Sequence, residues 1–155
     1  RADKDGDNWP LIRRIIVDPQ AKPGTTDIVA AKRRFLELLK IRSDSQLFQL
    51  DSAREVQRRL QFHNTGPEQL PGVIAFSLAD NPREGRDLDR RYSALMVVIN
   101  ASDKRVRLPA ADGYRLHPVL KASVDPINRQ ATVSNGMFEV PAFTTTVFIQ
   151  PQTRR

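Results

Sequence analysis

Two uninterrupted apolar runs, GVIAFSL at 72–78 and ALMVVINA at 94–101, constrain this chain more than any other feature. Each has the length of a strand and is rich in branched side chains. Neither alternates with polar residues, so both faces of each strand need cover, and the two runs predict central strands. Around them lie shorter candidates at 104–108, 114–117, 131–134, 137–140 and 144–150, separated by Gly, Pro, Asn and Asp clusters. Asn135-Gly136 supplies the two positive-φ positions of a tight hairpin turn. From Ser52 the spacing of Val56, Leu60 and Phe62 reads as helical at first and as a strand from Leu60. The expectation is an antiparallel β-sandwich of about seven or eight strands, preceded by two α-helices.

The helices come first. WPLIRRIIV at 9–17 reads as two helical turns, with Asn8 as its cap and Pro10 where a missing N–H costs nothing. RADKDGDNWP before it reads as a polar loop, and the chain's start at Arg1 without a leader as a piece of something longer. DPQAKPGTT at 18–26 is a loop, because two prolines and a glycine interrupt any helix. Thr26 then offers a cap, Asp27 a first-turn charge, and Ile28 to Leu39 recur at helical spacing up to Arg42. This apolar face should fold onto the sandwich or, without its natural cover, mediate self-association. A boundary falls at 43–52, SDSQLFQLDS.

Composition excludes several kinds of chemistry. There is no cysteine, hence no disulfide framework, thiolate site or sulfur nucleophile, and the compartment stays open between cytoplasm, plastid and cell exterior. No apolar run approaches the roughly 18 residues of a membrane span, so no membrane partner is expected. The formal charge of +7 invites an anionic partner. Yet the pairs Arg13-Arg14, Arg33-Arg34, Arg58-Arg59 and Arg90-Arg91 are scattered among acids, so no nucleic-acid partner is expected. A nucleic-acid binder would show steep salt dependence on DNA.

Catalytic patterns fail one by one. Asp3, Asp5 and Asp7 open like a calcium loop, but Asn8 and Arg14 stand where glycine and a bidentate glutamate belong. His63 and His117 have no second ligand at metal spacing. No nucleophile elbow and no glycine-rich phosphate cradle occurs. The acids Asp80, Glu84, Asp87 and Asp89 alternate with Arg83, Arg86, Arg90 and Arg91 across a long polar loop at 79–93, read as solvated. Phe62, Phe76, Phe138 and Phe148 fall in strand patterns and read as core. Tyr92 and Tyr114, with Trp9, are the amphipathic aromatics; if a tyrosine stacked on sugar, the chain would be a stand-alone carbohydrate-binding module. The polar knot FHNTGPEQLPG at 62–72 reads as a turn, with His63 as a strand-end residue: Asn64 and Thr65 bond their own backbone, and Pro67 and Pro71 prevent ladder pairing.

One long stretch, SQLFQLDSAREVQRRLQFHNTGPEQLPGVIAFSL at 45–78, resembles the segment opening the C-terminal domain of pullulanase-type α-1,6-glucosidases and limit dextrinases, starch-debranching members of the α-amylase family. GDNWPLIRRIIVDPQAKPG, FLELLKIRSDSQLF and GMFEVPAFTTTVFI agree. The resemblance implies that the catalytic carboxylates lie on a (β/α)8 barrel preceding this stretch, so the chain itself would be inactive, without catalytic residues, metal or cofactor. It further implies that residues 1–44 are the closing loop and helices of that barrel and 52–155 the β-sandwich behind it. The partner is then the parent barrel within the same polypeptide, with α-glucan met only indirectly. Asn8 and Trp9 would sit on the barrel rim near substrate, since barrel sites gather at the C-terminal ends of strands.

Overall fold

The computed structural model describes residues 1–80 and 86–152. Contacts divide the chain into two units, Arg1–Arg33 and Arg34–Arg155. Within the first, α1 (Ala2–Asp5) and a 3-10 turn (Gly6–Asn8) run into α2 (Trp9–Val17). The expected polar loop is therefore helical: Ala2 and Lys4 are good helix formers, and Asp3 and Asp5 sit in the first turn, where negative charge suits the dipole. Asn8 makes no capping bond, because its own backbone is already helical (φ −89°, ψ −10°) and no free first turn remains. Thr26 is no cap either, for α3 (Thr25–Asp44) starts one residue earlier. There the Asp27 carboxylate reaches back 2.9 Å to the Gly24 amide.

Among the described residues of the second unit, eight strands form two antiparallel sheets. β1 (Leu60–Phe62) follows α4 (Ala53–Arg59), which the Ser52 hydroxyl caps by accepting from the Glu55 amide. β2 (Val73–Ala79), β3 (Tyr92–Asn100), β4 (Val106–Pro109) and β5 (Arg115–Leu116) come next. After α5 (Pro118–Lys121) the chain ends in β6 (Thr132–Ser134), β7 (Met137–Val140) and β8 (Thr144–Pro151). The larger sheet has the order β1-β2-β3-β8-β5, the smaller β4-β7-β6. Asn135 (φ 51°) and Gly136 (φ 68°) make the β6–β7 turn.

The period of two along β3 explains its unbroken apolar sequence. Met96 and Val98 meet Leu108, Phe138 and Val140 of the smaller sheet. Leu95 and Val97 point the other way, toward Leu47, the last turns of α3 at Leu38 and Ile41, and Leu120 of α5. The larger sheet is thus lined on both sides, by a second sheet and by a helical layer. Leu47, within the 43–52 stretch, is 1% exposed. Phe138 and Phe148 are core as expected, but Phe62 is 54% exposed, because β1 is the edge strand.

The polar knot is a turn. The Asn64 amide donates to the carbonyls of Leu70 and Val73 while its oxygen accepts from the Leu70 amide. The backbone of His63 extends the β1–β2 ladder to Ala75, and its Nε2 lies 2.7 Å from the Ser77 hydroxyl. Among the described residues no helix is long and apolar enough to cross a membrane.

Candidate functional site

The polar groups that come together are buried in the Arg34–Arg155 unit. The first cluster forms around Arg59, whose side chain is fully buried. Its Nε donates to Glu55 at 2.7 Å and its Nη2 to the Arg86 carbonyl at 2.7 Å, while Nη1 reaches the carbonyls of Ala79 and Asp80. Asp80, also fully buried, lies 3.6 Å from Nη1. Its carboxylate accepts from the amides of Leu88 and Asp89 and from the Gln152 side chain. Asp89 in turn accepts from the amides of Arg91 and Tyr92 and from the Ser45 hydroxyl. The expectation of a solvated acidic loop is therefore corrected at Asp80 and Asp89. Enough backbone amides point inward here to satisfy two carboxylates out of water. Arg83 and Glu84 lie outside the described residues.

The second cluster joins three elements at the end of α3. β3 carries a bulge between Tyr92 and Ala94, which turns Tyr92 onto the helix side of the sheet with Leu95 and Ile149. There its hydroxyl donates to Asp44 Oδ2 at 2.8 Å. Arg91 Nη1 donates to Oδ1 at 2.9 Å and its other arm to the Asp44 carbonyl, placing a cation at the negative end of α3. His117 caps α5 by accepting from the Val119 amide at Nδ1, so its proton resides on Nε2, 3.3 Å from Asp44 Oδ2. Burial pushes the Asp44 carboxyl up, but the bonds from Tyr92 and Arg91 and the charge of Arg91 outweigh it and hold it below its ordinary value. Burial and the neighbouring Asp44 push the Tyr92 phenol up to about 12. Burial also lowers His117, against the pull of Asp44.

Tyrosine, aspartate and histidine in contact form a set that elsewhere does acid–base work. Here both ring nitrogens of His117 are occupied, the phenol keeps its proton, and both carboxylate oxygens of Asp44 are engaged by Arg91, Tyr92 and His117, so each group is committed within the cluster. The cluster is a lock joining α3, β3 and α5. A third tie repeats the logic: Glu37 of α3 accepts from Arg34, the Ser123 hydroxyl and the Val124 amide.

Among the described residues, the hollows lined as follows give no catalytic pair either. One of about 330 Å³ is lined by Gln46, Gln49, Asp51, Ser52, Glu55 and Arg86, but Glu55 is committed to Arg59. A second, about 460 Å³, opens between Phe62, Leu70, Ile74 and Ile99. Among the described residues no three His, Asp or Glu side chains gather as metal ligands, and Asp3 pairs with Arg1. Asn8 and Trp9 stand side by side at the start of α2, the indole 42% exposed. Neither tyrosine offers a stacking face: Tyr92 is buried, and Tyr114 is half-buried with its ring 5.2 Å from Phe138, edge to face. Sequence reasoning missed Arg59, although the Glu55–Arg59 spacing of four and the flanking Val56 and Leu60 mark it as a cation on a half-apolar helix face. Nothing in the sequence announces the meeting of Asp44, Tyr92 and His117, which are far apart along the chain.

Known proteins resemble this chain along its whole length. Residues 1–151 match the family described as alpha-1,6-glucosidases, pullulanase-type, C-terminal. Pullulanase 1, chloroplastic, of Arabidopsis thaliana is 41% identical over 95% of this chain and 16% of its own length. A pullulanase of Klebsiella pneumoniae is 28% identical over 98% of the chain and 14% of its own length. The crystal structure of apo pullulanase from Klebsiella pneumoniae superposes with a TM-score of 0.83 at 28% identity, covering 100% of this chain and 17% of that one. The chain thus spans about a sixth of these relatives. By sequence and by fold, it belongs to the family of C-terminal regions of pullulanase-type α-1,6-glucosidases.

Proposed function

We propose that this chain is the non-catalytic supporting end of a debranching glycoside hydrolase whose full-length form hydrolyses α-1,6-glucosidic branch linkages. Residues 1–44 complete the catalytic barrel and 52–155 form the sandwich that steadies it. The observation that carries this reading is the state of Arg1–Arg33. No side chain there is buried, and Trp9, Leu11, Ile12, Ile15, Ile16 and Val17 along α2 are all at least 40% exposed. A helix of nine residues has no stability of its own in water and holds only by burying an apolar face. That face asks for a cover, which the catalytic barrel would supply, and removing it from water contributes about 25 cal/mol per Å². Without the barrel, the same faces meet between copies and the isolated chain self-associates.

The test has two parts. The isolated chain should release no reducing sugar from pullulan or limit dextrin, and hydrolysis by it, free of contaminating amylase, would sink the reading. The full-length enzyme truncated after the position of Asp44 should lose several degrees of barrel melting temperature. Asn8 and Trp9 are proposed to border the glucan groove of the full-length enzyme. Trp9→Ala there should raise KM several-fold with a smaller change in kcat.

A further inference from the structure

The supporting role leaves the buried charges around Arg59 without a task, and a buried ion pair is a poor source of stability by itself. What these charges do hold is part of the wall of the hollow of about 330 Å³. Arg59 Nη2 donates to the Arg86 carbonyl at 2.7 Å and its Nε to Glu55 at 2.7 Å, while Asp80 accepts from the Leu88 amide at 2.6 Å. Arg86, Glu55 and Leu88 all line the hollow. The rest of the lining belongs to residues 46–52, and it is held as firmly. The 3-10 turn Gln46–Phe48 is pinned by buried Leu47 and capped by the Ser45 hydroxyl, which accepts from the Leu47 amide. Leu50 and Leu88 pack against the core cluster of Leu47, Tyr92 and Leu95. The walls are therefore preorganised, and little freedom is left for a ligand to take away.

What the lining leaves free decides what it takes. Glu55 is spent on Arg59 and Arg58. Among the described residues, the side chains of Gln46, Gln49 and Asp51 make no hydrogen bond. The bond from Arg59 first, then against burial the charges of Arg59, Arg58 and Arg86, hold the Glu55 carboxyl below its ordinary value, so the Arg86 guanidinium lies near it. Each glutamine both donates and accepts, Asp51 accepts and Arg86 donates, a set that matches hydroxyl groups, which do both. Charge on the lining balances, Asp51 against Arg86 and Glu55 against Arg59, so neither a cation nor an anion is favoured. An apolar side chain would strip water from the glutamines and give nothing back. A pyranose ring suits both parts of the lining, with hydroxyls for the amides and a C–H face for Leu50 and Leu88. The volume falls in the range of small-ligand sites, about 300–1,000 Å³. We propose that this hollow is a glucan-binding site of the C-terminal region itself, seating a glucosyl unit through Gln46, Gln49, Asp51 and Arg86. The class of ligand, a neutral sugar, follows from the walls; the choice of α-glucan rests on the debranching function proposed above.

The experiment titrates the 155-residue chain with maltotriose and follows the side-chain amide NMR signals of its glutamines. The signals of Gln46 and Gln49 should shift and saturate at millimolar sugar, while that of Gln57, exposed on α4 outside the hollow, stays in place. Gln49→Ala combined with Asp51→Ala should weaken binding at least tenfold without lowering the melting temperature, because both side chains are exposed. Gln57→Ala should bind as the native chain does. No saturable shift, shifts confined to other glutamines, or equal binding by the double variant would each overturn the proposal. Cellotriose is the control for the source of the sugar, and binding as tight as that of maltotriose would overturn the assignment to α-glucan. The parent's activity is read separately, as sugar released from limit dextrin by the full-length enzyme. If that enzyme debranches but the glutamine signals do not move, the hollow fails and the debranching function stands. If the signals move but the enzyme does not debranch, the hollow stands and the debranching function fails.

Discussion

Arg59 and Asp80 show how much a single buried charge depends on its company. Replacing Arg59 with alanine leaves the carboxylate of Asp80 out of water without its cation, and should cost about 3–5 kcal/mol in urea denaturation. His117 makes a different contribution. Burial lowers its affinity for a proton below the ordinary 6.5, so the unfolded chain binds that proton more readily. Stability is then full above the ordinary value and falls as pH drops below it toward the folded value, because protonation at Nδ1 breaks the cap on α5. His117→Gln should flatten that part of the stability profile, measured by denaturant titration between pH 5 and 7.5. At Phe143, 73% exposed with φ of 51°, a bulky residue holds a left-handed backbone. Phe143→Asn should relieve this and raise stability by up to about 1 kcal/mol.

Elements differ in how far they could be read in advance. β2, β3 and the β6–β7 hairpin were legible, because an unbroken branched run and an Asn-Gly pair each have one favourable backbone solution. Gly136→Ala tests the second: with φ at 68° it should cost about 1–2 kcal/mol by thermal melting. The start of α2 at Trp9 was legible, but the capping bonds were not. Asn8 and Thr26 are cap residues by type, but a cap needs a free first turn, and whether the helix begins one residue earlier depends on Gly24 and Asp27 together. The polar core was hidden for a related reason. Asp80 and Asp89 sit in a stretch whose composition is that of a solvated loop, and only the inward amides of Leu88, Asp89, Arg91 and Tyr92 make burial tolerable. The bulge at Ser93, which aims Tyr92 at Asp44, leaves no mark in the hydrophobic pattern at all.

As a whole the molecule is uneven in how well it is held. The Arg34–Arg155 unit carries a continuous core and three polar ties, whereas Arg1–Arg33 has no buried side chain. Trypsin should therefore cut the isolated chain first at Arg13, Arg14, Lys22, Lys32 or Arg33, leaving a resistant product that starts near Arg34, identified by mass spectrometry. Early cleavage within β2 or β3 would contradict that order. In the larger sheet, β8 lies between β3 and β5, although it is made after both. A ribosome must deliver β8 before β5 has a neighbour to join in that wall, so a message cut short anywhere before Thr144 yields a chain with β5 unpaired and one edge of β3 left open, fit only for a protease.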